Sequence, residues 1–349
     1  MVLPVDPRVA MVGSPLLSES SNFLARKNRN MRRYLVTGGC GFIGSSVVNA
    51  LLERGDKVFV IDDLSVGKDR WKTAARKPTL LVEDILDPDA CDRVFREVKP
   101  QTVIHLAAQH FIPWCEEHIY EAYTLNVTGT LNMLECSRRY GVEDFFLAST
   151  GDVYHPNFLP NREVDPTGPV YVYGHTKFMA EQVCMRYFES KTCFRTLLIG
   201  RLFNAAGPRE TNPHLLAEVT RQIAHEGKRE VEVGNLWPLR DYVDVDSMGA
   251  VIVDATEKVE GLEILNIGSG KAVEVQEALS VIASVLPFKV EFKSVPERQR
   301  PNDRPFLCPD TQRLRRTIGR AAHSFNEDTA RKIFAEYPNI KLEEVRRAI

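Results

Sequence analysis

The chain has 349 residues, 44% of them hydrophobic, and its 45 Lys and Arg stand against 47 Asp and Glu for a formal net charge of −2. That apolar content suffices for a large core in one big domain or two, and so balanced a charge gives no electrostatic case for nucleic acid or an anionic membrane as partner. Seven cysteines, an odd number without a Cys-x-x-Cys pair or a His cluster at metal-ligand spacing, indicate neither a disulfide framework nor a metal site, and they point to a reducing, cytoplasmic compartment. No apolar stretch approaches the roughly 20 residues of a membrane helix, and residues 1–30 lack the apolar core of a signal peptide. Those 30 residues are read as a disordered extension or an upstream start, because Met31 would itself open the fold naturally; a weak transit peptide is the second reading.

In chain order, the apolar run Tyr34–Val36 predicts a strand and Phe42–Arg54 a helix. Between them stands Gly39-x-Gly41-x-x-Gly44, the strand–turn–helix context of a dinucleotide fingerprint. Glycines there let the backbone turn tightly and approach a pyrophosphate, whose charge the helix N-terminus stabilises. A second run, Val58–Ile61, ends in Asp62-Asp63, close to the offset at which a carboxylate meets the adenosine ribose. Asp62 therefore favours NAD over NADP, since it would repel a ribose 2′-phosphate.

Further strands are expected near Leu80–Val82, Thr102–Leu106, Asp144–Ala148 and Thr196–Gly200, and helices at Pro88–Val98, Tyr120–Tyr140 and Tyr171–Ser190. This alternation specifies βαβ units, hence an α/β protein with a Rossmann-like, doubly wound parallel sheet. From Asn204 onward the alternation weakens and prolines such as Pro208, Pro238, Pro301 and Pro309 punctuate it, which predicts a smaller, mixed C-terminal lobe that shapes a substrate cleft. Val243–Ile267 reads as a helix and a strand returning to the main sheet. The expected division is thus 31–203 with 243–268 for the dinucleotide domain, and 204–242 with 269–349 for the substrate lobe. Arg313-Leu-Arg-Arg316 is read as a solvated helix face.

Tyr173 and Lys177 are four apart in a helical stretch, so they share a face and the ammonium can approach the phenol. A free Tyr titrates near pH 10; a neighbouring cation stabilises its phenolate and makes the pair a candidate base. Ser149-Thr150 ends the run just before it.

Taken together, Thr37-Gly-Gly-x-Gly-Phe-Ile-Gly44, Asp62-Asp-Leu-Ser65, Glu83-Asp-Ile85, His105-Leu-Ala-Ala108, Asn126, Ala148-Ser-Thr150, Tyr173-x-x-x-Lys177, Arg201-Leu-Phe-Asn204 and Arg240-Asp-Tyr-Val-Asp-Val245 resemble the nucleotide-sugar epimerase/dehydratase branch of the extended short-chain dehydrogenases, over roughly Met31 to Asp310. The resemblance implies NAD as cofactor, a nucleotide-diphosphate sugar as substrate and oxidation at sugar carbon 4, with Tyr173 as base, Lys177 as its tuner and nicotinamide-ribose ligand, both of them at the cofactor, and Thr150 on the reacting oxygen. It places Gly38, Gly41, Phe42, Ile43, Gly44, Asp62, Asp63, Ser65, Asp84, Ile85, Leu106, Ala107, Ala108 and Asn126 at the cofactor, and Asn204, Arg240, Arg300 and Asp303 at the substrate or its diphosphate. It also implies a homodimer through the helices near Tyr120–Tyr140 and Tyr171–Ser190.

Asp152 bears on the reaction. It lies two residues after Thr150, where dehydratases and decarboxylases resembling this chain usually carry Glu, so a carboxylate there can shuttle the proton for elimination of water. The alternative is a turn residue following Gly151. On this basis dehydration is the expected reaction, 4-epimerisation the close alternative and decarboxylation the third; a non-catalytic NAD-binding module is the reading from another class, opposed by the intact Thr150, Tyr173 and Lys177. His110 and Cys115 fall on the substrate edge but are read as loop packing, outside the catalytic set.

Overall fold

A computed structural model of the protein describes residues 31–340 and Leu342, apart from 69–70, 72–75, 191–193, 211 and 301–302. The N-terminal segment 1–30, expected as an extension, lies outside the described residues. Fourteen described strands run in order: β1 Arg33–Thr37, β2 Lys57–Asp62, β3 Thr79–Val82, β4 Thr102–His105, β5 Asp144–Thr150, β6 Thr196–Leu202, β7 Asn204–Ala206, β8 Glu230–Val233, β9 Leu239–Arg240, β10 Tyr242–Asp244, β11 Gly261–Ile267, β12 Val273–Glu274, β13 Glu291–Ser294 and β14 Phe306–Leu307. The α-helices are α1 Phe42–Arg54, α2 Pro88–Val98, α3 Ile112–Glu117, α4 Ile119–Tyr123, α5 Gly129–Tyr140, α6 Val172–Glu189, α7 Leu215–Ala224, α8 Val245–Lys258, α9 Val275–Ser284, α10 Gln312–Ile318 and α11 Glu327–Phe334. None is long and apolar enough to cross a membrane.

Seven strands form one parallel sheet in the order β11-β6-β5-β4-β1-β2-β3. Side chains alternate across a strand, and here the alternation sorts them into two cores. Tyr34, Val36, Val58, Val60 and Phe146 join Val47, Val48 and Leu51 of α1 and Val251, Ile252 and Ala255 of α8 on one face. Their neighbours Leu35, Phe59, Ile61, Phe145 and Leu147 meet Val94 and Phe95 of α2, Met133 and Leu134 of α5 and Ala180 and Cys184 of α6 on the other. Continuous apolar strands are what a sheet covered on both faces requires.

Local signals set the helix ends. Asp87 accepts from the N–H groups of Asp89 and Ala90 and is followed by Pro88, which starts α2; Gly55, at φ 87°, ends α1. The helix expected over Tyr120–Tyr140 is not continuous. A π-helical turn at Thr124–Thr128 separates α4 from α5. The extra residue in that turn aims Asn126 inward: its Oδ1 accepts from the Gln109 N–H at 2.8 Å, and its Nδ2 donates to the Gln109 carbonyl at 2.9 Å and to Thr176 Oγ1 at 2.8 Å.

The segment 243–267 supplies α8 and β11, and β11 pairs with β6 at the sheet edge. Residues outside the sheet build a third core from α7, α9, α11 and β8, with the small pairs β10-β7 and β13-β8 and the trio β12-β9-β14. The motif Arg240-Asp-Tyr-Val-Asp joins the two parts. Asp241, fully buried, accepts from the backbone N–H groups of Ser269 and Gly270 at 2.7 and 3.1 Å, and Asp244 caps α8 through Ser247 N–H while accepting from Thr329 Oγ1.

A buried ion pair lies under the C-terminal ends of the central strands. Arg201 donates to both oxygens of Glu181, at 2.9 and 2.7 Å, and Ser149 Oγ donates to the same carboxylate; Glu181 is fully buried and Arg201 is 3% exposed. Removing one member of such a pair strands the other charge. Glu181→Leu should therefore destabilise the protein by about 3–5 kcal/mol in chemical denaturation, and adding Arg201→Met should restore most of the loss.

Candidate active site

The C-terminal edge of the sheet, where strand order reverses between β1 and β4, is the crevice in which a doubly wound fold binds ligands. A cavity of about 900 Å³ opens there. At one end, β1 passes into α1 through Gly38, at φ +68°, where a Cβ would lie 2.8 Å from Ala107 N. At Gly44 a Cβ would lie 2.0 Å from the Gly38 carbonyl oxygen, so the turn closes only over glycine. No side chain caps α1 and no acidic residue lies in its first turn, which leaves its amide groups and dipole facing the cavity beside Gly41, Phe42, Ile43 and Gly44.

Asp62 ends β2 at the cavity wall. Its carboxylate accepts from Cys40 N–H at 2.9 Å and Leu64 N–H at 3.0 Å. Burial raises its pKa, and those two bonds oppose the shift. Asp63, Ser65, Asp84 and Ile85 line the same end; Asp63 Oδ1 accepts from the N–H and hydroxyl of Ser65. Across the cavity, Thr37 Oγ1 accepts from the N–H groups of Leu106 and Ala107 at 3.1 and 3.0 Å and bonds His105 Nδ1 at 2.7 Å. Burial holds that imidazole down at about 3, so it stays neutral. These features fit a dinucleotide: a glycine turn, an open helix end for phosphates and a carboxylate at the far edge. Asn126, expected among the cofactor contacts, does not line the cavity. It braces the loop that carries Leu106, Ala107 and Ala108.

Thr150, Asp152, Tyr173 and Lys177 come together on the cavity's central wall. Thr150 ends β5 and its Oγ1 accepts from Asp152 N–H at 3.2 Å, closing the turn Gly151–Val153. Burial raises the Tyr173 pKa, the Asp152 charge raises it further, and a hydrogen bond with Thr150 opposes both. Burial lowers Lys177 to about 8. Both groups are thus biased toward their neutral forms. Asp152 has a second partner that the sequence did not reveal. Arg304 Nη1 stands 3.7 Å from Asp152 Oδ1 and donates to the Gly151 carbonyl at 3.2 Å, while its Nε, buried, finds no partner among the described residues.

The cavity is also lined by Asn204, Arg240, Arg300 and Asp303, together with Arg298 and Arg304. Arg240 and Asp303, both expected at the substrate, meet each other: Arg240 Nη2 donates to Asp303 Oδ1 at 2.8 Å, and Asn235 donates to Asp303 Oδ2 and to the Arg300 carbonyl. His110, read from sequence as packing, lines the cavity beside His214 and Glu210. Cys115 lies fully buried behind it and donates to the Gln109 carbonyl. Sequence spacing gave no sign of Arg304 or His214, because each meets its partners only across the fold.

The family model described as the NAD dependent epimerase/dehydratase family matches residues 34–268. A UDP-glucose 4-epimerase from Bacillus subtilis (strain 168) is 31% identical, spanning 82% of this chain and 91% of that protein. Among solved structures, a UDP-glucose 4-epimerase from Thermotoga maritima, in complex with UDP-glucose, superposes with a TM-score of 0.76 at 29% identity, covering 87% of this chain and 98% of its own. A UDP-glucose 4-epimerase from Thermus thermophilus, in complex with NAD, gives 0.77 at 29% identity with the same coverage.

The glycine turn is the part of the site most sensitive to one added methyl. Gly44→Ala forces the Gly38 carbonyl aside at a cost of about 1–3 kcal/mol, so the purified variant should carry markedly less dinucleotide than the parent, read from the ratio of absorbance at cofactor and protein maxima.

Proposed function

The chain belongs to the NAD-dependent epimerase/dehydratase family, and from that premise we propose that it acts on a UDP-sugar, oxidising the sugar at carbon 4 and returning the hydride to the opposite face, as a nucleotide-sugar 4-epimerase. The observation that carries this reading is likeness to UDP-glucose 4-epimerases over 82% of the chain, well beyond its dinucleotide-binding part. Bound NAD supplies the hydride acceptor and donor. The chain's own residues do the rest. The helix α1 end and glycine turn hold the diphosphate of the cofactor, Asp62 its ribose, and Arg240, Arg298 and Arg300 surround the place for the substrate's diphosphate.

Tyr173 takes the proton of the sugar 4-hydroxyl and later gives it back, while Thr150 bonds the same oxygen and Lys177 supplies the nearby cation. Epimerisation needs that one proton station. The sequence reading favoured elimination of water, for which Asp152 must move a second proton. Asp152 does lie beside Tyr173, which keeps dehydration as the second reading, but its carboxylate also faces the Arg304 guanidinium, an ion-pair partner that gives it a structural role apart from proton transfer. We also infer a homodimer: Ile119, Tyr120 and Met179, on α4 and α6, are exposed apolar side chains where the family resemblance puts the partner.

Incubating the protein with UDP-, dTDP-, GDP- and CDP-sugars and following products by mass tests the reading. An isomer of unchanged mass from a UDP-sugar is expected; loss of one water would overturn it in favour of the dehydratase. Tyr173→Phe should lower the rate by about 10²–10⁴-fold, and an unaltered rate would refute Tyr173 as base.

Asp152→Asn separates the two readings by pH. The Asp152 charge opposes phenolate formation, so its removal should lower the Tyr173 pKa and move the acid limb of the kcat/KM profile to lower pH, with turnover retained. A dehydratase would instead lose about 10²–10⁴-fold with its second acid/base.

A further inference from the structure

His110, Glu210 and His214 bring one ligand atom each to within 4.8 Å of one another. His110 comes from the loop after β4, Glu210 from the segment after β7, and His214 from the residue that opens α7. Nothing in the linear spacing of these residues resembles a metal motif; only the fold assembles them. We propose that they bind one divalent cation of the zinc class in the wall of the cavity.

Two imidazole nitrogens and one carboxylate are a ligand set that borderline divalent ions accept, and three protein ligands leave further positions open. All three residues line the cavity, so those positions face its interior. The ligands are also held from behind, as metal ligands generally are. His110 Nε2 lies 3.0 Å from Asn212 Nδ2, which holds that side of the ring toward the segment carrying Glu210 and His214. Asn212 N–H donates to Glu210 Oε1 at 3.2 Å, orienting that carboxylate. The His214 ring packs edge-on against Phe111, with centroids 5.8 Å apart, and 5.5 Å from the His110 ring. Binding requires the Asn212 side-chain amide, whose Nδ2 lies 3.0 Å from His110 Nε2, to turn aside. A flip of that amide would present its oxygen instead.

Nothing in this site uses Tyr173, Lys177 or Asp152, and it stands whichever sugar reaction the enzyme performs. The test takes the purified protein with its bound cofactor, strips it with a chelator, and titrates it with Co²⁺, followed by visible absorption, and with Zn²⁺, followed by calorimetry. One equivalent with cobalt bands of a low-coordinate nitrogen and oxygen site is expected. Loss of an outer-shell partner costs about 10–100-fold in metal affinity, so loss of a direct ligand in Glu210→Gln or His214→Phe should cost at least the upper figure. Both variants preserve shape, and His214→Phe keeps an aromatic ring against Phe111, so unchanged thermal melting and cofactor retention certify the fold. Absence of bands in the parent at large cobalt excess overturns the site, as does equal uptake by the parent and both variants. Should either variant fail to fold, His110→Gln provides the same comparison from the other wall.

Discussion

One buried carboxylate organises the working edge of this protein. Glu181 sits inside α6 and holds Arg201 on β6 with two charge-assisted hydrogen bonds, and Ser149 on β5 with a third. Thr150 is the next residue of β5, Asn204 follows three residues after Arg201, and Tyr173 and Lys177 lie two turns and one turn before Glu181 on the same helix. The candidate base, its hydrogen-bonding partner and one candidate substrate contact therefore take their relative positions from a single ionic joint. Arg201 also lies over the Tyr154 ring, 4.6 Å from its centroid, and Tyr154 donates to Asn266 of β11, which extends the joint to the edge of the sheet.

Above that joint the electrostatics are arranged by burial more than by net charge. A chain close to neutral overall gathers Arg240, Arg298, Arg300 and Arg304 around one cavity, and Arg240, Arg298 and Arg304 each have an acidic or carbonyl partner already in place. Such pairing keeps the guanidinium groups oriented without saturating them, since each fork has five donors. Tyr173 and Lys177, by contrast, sit where burial opposes both of their charged forms. A positively charged ring brought alongside them would help the phenolate and oppose the ammonium, so the proton inventory of this wall depends on what the cavity holds.

Much of this was legible in the sequence because it is local. The glycine turn, the strand ends at Asp62 and Thr150, the helix start at Pro88 and the Tyr173/Lys177 spacing are all read within a few residues, and the alternation of apolar runs with helical stretches sufficed to predict a doubly wound parallel sheet. What escaped was long-range. Arg304 meets Asp152, and His214 meets His110, only when distant parts of the chain come together, so neither encounter leaves a periodic or spaced trace. Arg240 and Asp303 were each expected to face a ligand, yet 63 residues of separation hid that they face each other. Asn126 was expected at the cofactor; what no propensity announces is the π turn around it and the bonds it makes to Gln109 and Thr176.

That turn has a consequence for how such a cavity can diversify. The Asn126 amide ties both backbone groups of Gln109 to Thr176, one residue before Lys177, so the loop entering the cavity and the helix carrying the candidate base Tyr173 are clamped together at one point. Changes at Phe111 or Ile112, which line the cavity beyond the clamp, can reshape the wall while Tyr173 stays where it is. Changes at Gln109 or Thr176 would be transmitted to the chemistry. Wall shape and the placement of Tyr173 and Lys177 are thereby separable: the distal part of the loop can vary without loosening the Asn126 clamp.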